Sequence, residues 1–330
     1  MRALVTGATG MIGPPLVNQL LVENWNVRIM VRNAFAPTLF TSAVERFSGD
    51  IVDFDSLRTA MNGVDVVFHL AAKLHLNTPS PSLAQEYRRI NVAGATNVAR
   101  AALDAGVKRM VHFSTISVYG PSLGRDPYTE SSPLNPQSLY AETKCQSEEG
   151  IRKIFHDSAL SSFVILRLGA VYGPRLQGNY RTLVKAIRHG LFLPVGDGQN
   201  RRTMIYIDDL VQAAILAAEH PGAANAVFNV TDGQIHTLNE VVAAIAHALD
   251  KRPSHLRLPG RPVQAIAGFA DRFTEKLHLP APKLRLLVDK VMEDVAARGD
   301  TLCRHLAFRP QHDLMLGWQA ALGTGNYRNM

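Results

Sequence analysis

Ala3-Leu4-Val5-Thr6-Gly7-Ala8-Thr9-Gly10-Met11-Ile12-Gly13 stands near the head of the 330-residue chain and decides how the rest is read. A short strand-like run passes without a gap into three glycines spaced Gly-x-x-Gly-x-x-Gly, and a helical period begins at Ile12. Gly7 permits a tight turn, Gly10 lets the backbone approach a pyrophosphate, and Gly13 lets the helix pack closely. The helix N-terminus would offer free N–H groups and the positive end of its dipole to phosphates. An isolated glycine spacing is a weak signal. Here the strand before it, the helix after it and its N-terminal position agree, and together they predict a dinucleotide site.

Outward from that turn, residues 27–31, 64–70, 109–114 and 163–168 read as strands, and 12–23, 56–61, 84–105 and 139–155 as helices. This alternation predicts βαβ units on a doubly wound parallel sheet, with ligands gathered along its carboxyl edge. A dinucleotide-binding domain over 1–170 and a smaller, mixed substrate lobe over 171–330 are expected, with a late strand at 227–230 returning to the sheet. Thr237 and Glu240 have capping-box spacing for a helix over 238–249.

The second strand ends Met30-Val31-Arg32-Asn33, with no acidic residue to hold a ribose 2′-hydroxyl. Arg32 is either a 2′-phosphate ligand, which favours NADP slightly over NAD, or a solvated arginine at a strand end. Asp50-Ile51 is placed to reach the adenine, or is an exposed loop. Tyr140 and Lys144 lie four residues apart on one helical face, so a nearby ammonium can lower the phenol pKa toward a working pH. A strand-end hydroxyl in Ser114-Thr115-Ile116-Ser117 could bind the same substrate oxygen.

The ordered set of Thr6 to Gly13, His69-Leu70-Ala71-Ala72, Asn91-Val92-x-Gly94, Ser114-Thr115 before Val118-Tyr119-Gly120, Tyr140 with Lys144, Arg167 before Val171-Tyr172-Gly173-Pro174, and Arg202 before Asp208-Asp209 resembles the extended short-chain dehydrogenases/reductases. It covers about 1–250, and 306–310 with Gly317-Trp318 resembles the family's closing segment. The resemblance implies a Rossmann-like fold, Thr115 as the catalytic hydroxyl with Ser117 as runner-up, Tyr140 as general acid/base, and Lys144 on the nicotinamide ribose. It also implies that Met11, Ile12, Leu70, Ala71 and Ala72 line the cofactor, and that Asn91 supports it. As bare residues, Met11 and Ile12 could be core and Asn91 a helix N-cap.

By the same resemblance Arg202 would bind a substrate diphosphate, aided by Arg201 and Arg175, with Asn179 nearby; Arg201-Arg202 could instead be a solvated loop pair. The implied activity is oxidation and reduction at C4 of a nucleotide diphosphate sugar, by a 4-epimerase or 4-ketoreductase. Against it, Ala170 stands where sugar epimerases often carry Asn. That departure keeps open an NADPH-dependent reductase of an apolar ketone or aldehyde. A non-catalytic dinucleotide sensor is the alternative of another class, and a homodimer is implied by relatives.

Composition sets the outer limits. With 46% hydrophobic and 19% charged residues, the chain is ordinary globular material. Two cysteines suit a reducing cytoplasm, no metal-ligand pattern stands out, and neither a secretory leader nor a membrane-spanning run is evident. The net charge of +7 is concentrated in residues 251–330, with 13 Lys/Arg against 7 Asp/Glu. These are scattered, so neither nucleic acid nor membrane is expected as a partner; Lys283, Arg285 and Lys290 among them could serve a substrate, a partner or solvent.

Overall fold

The computed structural model describes residues 1–32, 39–74, 81–122, 124, 126–252, 258–276, 288 and 292–323. Asn33, Lys283, Arg285 and Lys290 fall outside them.

A seven-stranded sheet carries the molecule. Its strands are β1 (Arg2–Thr6), β2 (Asn26–Val31), β3 (Glu45–Ser48), β4 (Val66–His69), β5 (Arg109–Thr115), β6 (Ser162–Leu168) and β10 (Ala226–Val230). They run parallel in the order β10-β6-β5-β4-β1-β2-β3, so every carboxyl end lies on one edge. The order reverses at β1, where a doubly wound sheet opens its ligand crevice.

Side chains alternate across such a sheet, and the alternation builds two different faces. Ala3, Val5, Ile29, Phe68, Val111, Leu166 and Phe228 face one apolar layer made with α1 (Gly13–Val22), α7 (Ile207–Glu219) and α10 (Asp300–Leu306). Leu4, Met30, Val67, Met110 and Ile165 face the other, made with α2 (Phe54–Ala60), α4 (Ala95–Asp104) and α5 (Leu139–Phe155). Toward the carboxyl edge this second face turns polar: Thr6, His69, His112, Ser114 and Arg167 continue the same parity and are all buried. Buried polar groups require partners, and α5 supplies most of them.

Two expectations need correction. The helix expected over 84–105 is α3 (Pro81–Tyr87), a wide π-helical turn at Arg88–Gly94, and α4. Asn91 sits in the wide turn, so it is not an N-cap. Its amide exchanges hydrogen bonds with the backbone of Lys73 and reaches Thr143 Oγ1 on α5. The short, polar edge strand β3 lacks the apolar alternation that marks the others.

Beyond the main sheet, β7 (Ala170–Tyr172) pairs with β9 (Met204–Tyr206), and β8 (Arg201–Arg202) pairs with β11 (His236–Thr237). A separate apolar cluster joins α6 (Gly178–Arg188), α8 (Leu238–Ala248) and α11 (Leu314–Gly323). Thr237 and Glu240 close a reciprocal capping box on α8. Gly317 explains the closing motif: a Cβ there would lie 2.2 Å from the Tyr172 hydroxyl, so only glycine lets α11 stack Trp318 on Tyr172 at 4.6 Å. A further helix, α9 (Gly260–Lys276), lies between α8 and α10 in sequence.

Candidate active site

The glycine turn lies at the carboxyl end of β1. Gly7 has φ +73°, and a Cβ there would come within 2.6 Å of Ala71 N; one on Gly13 would come within 2.0 Å of Ala8 O. These two glycines are demanded by the chain's own close packing. Gly10 differs, because a Cβ there would meet only Gly7 O at 3.3 Å, and the residue is exposed. It is the open position through which a phosphate can approach the backbone, so the turn fits a dinucleotide. One detail departs from expectation. Pro14 and Pro15 occupy the first turn of α1, so that turn presents fewer N–H donors than a typical phosphate helix, while the helix dipole remains.

Leu70, Ala71 and Ala72 follow β4 beside this turn, with Leu70 N bonded to Thr6 O at 3.1 Å. Met11 and Ile12 are half-buried, and Ile12 packs toward both the sheet and the α8–α11 cluster. Arg32 is exposed at the end of β2. Asp50 follows β3 half-buried, its carboxylate accepting from Val52 N; Ile51 is buried beneath Gly94, where a Cβ would strike it at 2.6 Å.

Ser138 caps α5 by accepting from Ala141 N, and the helix then carries Tyr140 and Lys144 on one face. Lys144 is only 2% exposed. Its ammonium lies 3.2 Å from His112 Nε2, and burial brings the amine down to about 8, opposed by the charge of Glu148 one turn on. Tyr140 is half-buried, and burial with the Tyr87 phenol alongside pushes it above its ordinary value. Lys144 in this position therefore does not give Tyr140 the lowered pKa expected from the sequence; the amine is directed down onto His112.

The hydroxyls separate cleanly. Ser114 is buried and donates to Glu148 Oε1 at 2.5 Å. Thr115 accepts from Ser117 N and donates to Ser117 Oγ, both at 3.2 Å, so the preferred candidate and its runner-up form one hydroxyl pair at the end of β5. Beneath them lies a network the sequence did not reveal. Glu148 takes Arg167 Nη2 at 2.7 Å, Arg167 donates to the Tyr119 hydroxyl, and Tyr119 donates to Asn229 Oδ1, each of these two at 2.8 Å. His69 accompanies it, with Nδ1 2.7 Å from Thr6 Oγ1 and its ring stacked on His112. Only the strand parity of His112, Ser114 and Arg167 beneath α5 could have signalled these contacts.

On the other side, Arg202 on β8 donates to the carbonyls of Glu293 and Arg201, and Tyr180 of α6 hydrogen-bonds it. Asn179, adjacent to Tyr180, and Arg175 are exposed. Arg201 is not a free basic neighbour: Asp294 clamps its guanidinium at 2.8 and 3.0 Å, which removes its positive charge from the expected field. Asp294 also accepts from Arg201 N and Gly124 N, and these contacts hold its carboxyl down at about 2 against burial. No helix is long and apolar enough to cross a membrane and no metal-binding cluster occurs among the described residues.

Residues 3–231 match the NAD dependent epimerase/dehydratase family. The chain is similar to a UDP-glucose 4-epimerase of Vibrio cholerae, 34% identical over 263 residues and 78% of each chain. It is also similar to a 3 beta-hydroxysteroid dehydrogenase/Delta 5→4-isomerase of Mycobacterium tuberculosis, 30% identical over 91% of this chain and 85% of the other. Among solved structures, MoeE5 in complex with UDP-glucuronic acid and NAD superposes with TM-score 0.75 at 27% identity, covering 100% of this chain and 99% of that one.

Proposed function

Since the chain belongs to the NAD-dependent epimerase/dehydratase family and is an enzyme of the short-chain dehydrogenase/reductase class, we propose that it oxidises and reduces C4 of a nucleotide diphosphate sugar, as a 4-epimerase or 4-ketoreductase. The observation that carries this reading is the pair Tyr140 and Lys144 on one face of α5, beside the hydroxyls that end β5. With a dinucleotide held on the glycine turn, its nicotinamide would supply hydride acceptance and return.

Thr115, tied to Ser117, orients the reacting oxygen. Tyr140 takes the hydroxyl proton as the carbonyl forms, a step that requires its phenolate, and returns that proton on reduction, when the phenol is the donor. Arg202 with Tyr180 grips the remote diphosphate, and that binding positions the sugar at Tyr140. Arg32 favours NADP slightly over NAD.

Incubation of the protein with UDP-glucose, UDP-N-acetylglucosamine or their 4-keto forms, with either cofactor, tests the reading by NMR of the sugar. Conversion by wild type and its loss in Tyr140→Phe, with cofactor binding retained, is the expected result. Full activity of Tyr140→Phe overturns the mechanism. A second reading has a specific basis in half-buried, apolar Ala170 and in the steroid-dehydrogenase similarity: an NADPH-dependent reductase of an apolar ketone. That enzyme would ignore UDP in calorimetry.

A further inference from the structure

We propose that His112 is the positioning residue for Lys144, its Nε2 accepting a hydrogen bond from the ammonium and fixing the amine on α5. The inference rests on the reading of Lys144 as Tyr140's partner. His112 lies outside the glycine turn, the Tyr140–Lys144 pair and every other motif in the sequence. It reaches the site because its strand parity matches Met110 and Ser114, and this face of β5 lies under the turn of α5 that bears Lys144 and Ser147.

The charge of Lys144 assigns the tautomer. Lys144 Nζ is 3.2 Å from His112 Nε2, and Ser147 Oγ is 3.1 Å from the same nitrogen. Ser147 Oγ is also 2.8 Å from the Lys144 carbonyl, which can only accept, so the single hydroxyl proton goes there. Ser147 Oγ keeps lone pairs that could accept an Nε2–H, so the ammonium 3.2 Å away decides: it needs a bare Nε2, which puts the ring proton on Nδ1. The opposite tautomer would set an imidazole N–H against a charged donor at 3.2 Å. The arrangement leaves Nδ1 without a partner among the described residues, which the charge-assisted contact offsets.

The surrounding groups allow a cation here. His69, stacked at 5.3 Å between ring centroids, is held neutral, its pKa brought to about 3 by burial and by Lys144. Burial, Lys144 and His69 likewise hold His112 well below its ordinary value. Glu148 raises the amine but is itself engaged by Ser114 and Arg167. Tyr140, with Tyr87 from α3 beside it, lies one turn earlier on α5. An amine so placed needs a neutral acceptor at a fixed distance, and His112 Nε2 supplies it.

Two-bond 1H–15N correlation of 15N-histidine-labelled protein tests the tautomer without substrate or cofactor, with His112 assigned from the His112→Gln variant. The expected result at pH 7 is a bare Nε2 and a protonated Nδ1; a protonated Nε2 overturns the proposal. In turnover, His112→Leu should lower kcat about tenfold and move the alkaline limb down by about one pH unit, with substrate KM within twofold. His112→Gln, which returns an acceptor near the Nε2 position, should restore both. A His112→Leu enzyme with wild-type kcat and pH profile, or a Gln variant as impaired as Leu, overturns it. Should Tyr140→Phe keep full activity, the reading of the reaction fails while the tautomer measurement still decides His112.

Discussion

Replacing Glu148 with leucine tests the polar floor of the site most directly. Its carboxylate accepts from Ser114 Oγ at 2.5 Å, Arg167 Nε at 3.1 and 3.2 Å and Arg167 Nη2 at 2.7 Å. The two side chains of the ion pair are only 3% and 2% exposed, so water cannot take over either charge. Among the described residues, leucine leaves the buried Arg167 guanidinium with the Tyr119 hydroxyl and the Glu130 carbonyl alone, and leaves Ser114 without its acceptor. Stranding one charge of a buried pair costs about 3–5 kcal/mol. Removing both charges in Glu148→Leu/Arg167→Met should return most of that, with a residual of about 1–2 kcal/mol from the lost Ser114 and Tyr119 partners. Urea unfolding followed by circular dichroism at pH 7.5 measures both variants. A single substitution costing less than 1 kcal/mol, or a double substitution as costly as the single one, would refute the reasoning. The same residue supports Lys144 against burial, so Glu148→Gln should lower the Lys144 pKa below about 8.

Stability should also fall in mild acid. His69 is held at about 3 and His112 is likewise depressed, so between pH 6.5 and 3 the unfolded chain binds protons that the folded one refuses. Their contribution is intact above pH 6.5 and is lost as pH drops, by about 1.4 kcal/mol per pH unit for each histidine. His69→Gln should flatten the slope by one proton in denaturant titrations from pH 6 to 4; an unchanged slope contradicts the burial argument. Gly7→Ala, with φ +73° and Ala71 N at 2.6 Å, should abolish dinucleotide binding in calorimetry and lower the urea midpoint, whereas wild-type values for both would show that the turn tolerates a side chain.

The sequence by itself determined the elements whose cause is local. The Gly7–Gly10–Gly13 turn, helix 139–155 and the capping box at Thr237 follow from periodicity, turn chemistry and caps, which act over a few residues, and the parallel sheet was legible from the alternation of such elements. The Tyr140–Lys144 spacing was legible for the same reason, since one helical turn fixes it. The wide turn at Asn91 was not, and the partner Asn91 finds there, the Lys73 backbone, lies eighteen residues away. Only the tertiary structure decided what Lys144 touches, that Ser114 belongs to Glu148 while Thr115 pairs with Ser117, and that Arg201 is neutralised by Asp294. Each of these depends on strand parity meeting a helix face or, for Asp294, on a segment about ninety residues away in sequence meeting Arg201. The strength of a charge contact is set by burial and distance, and neither is written in the order of residues along the chain.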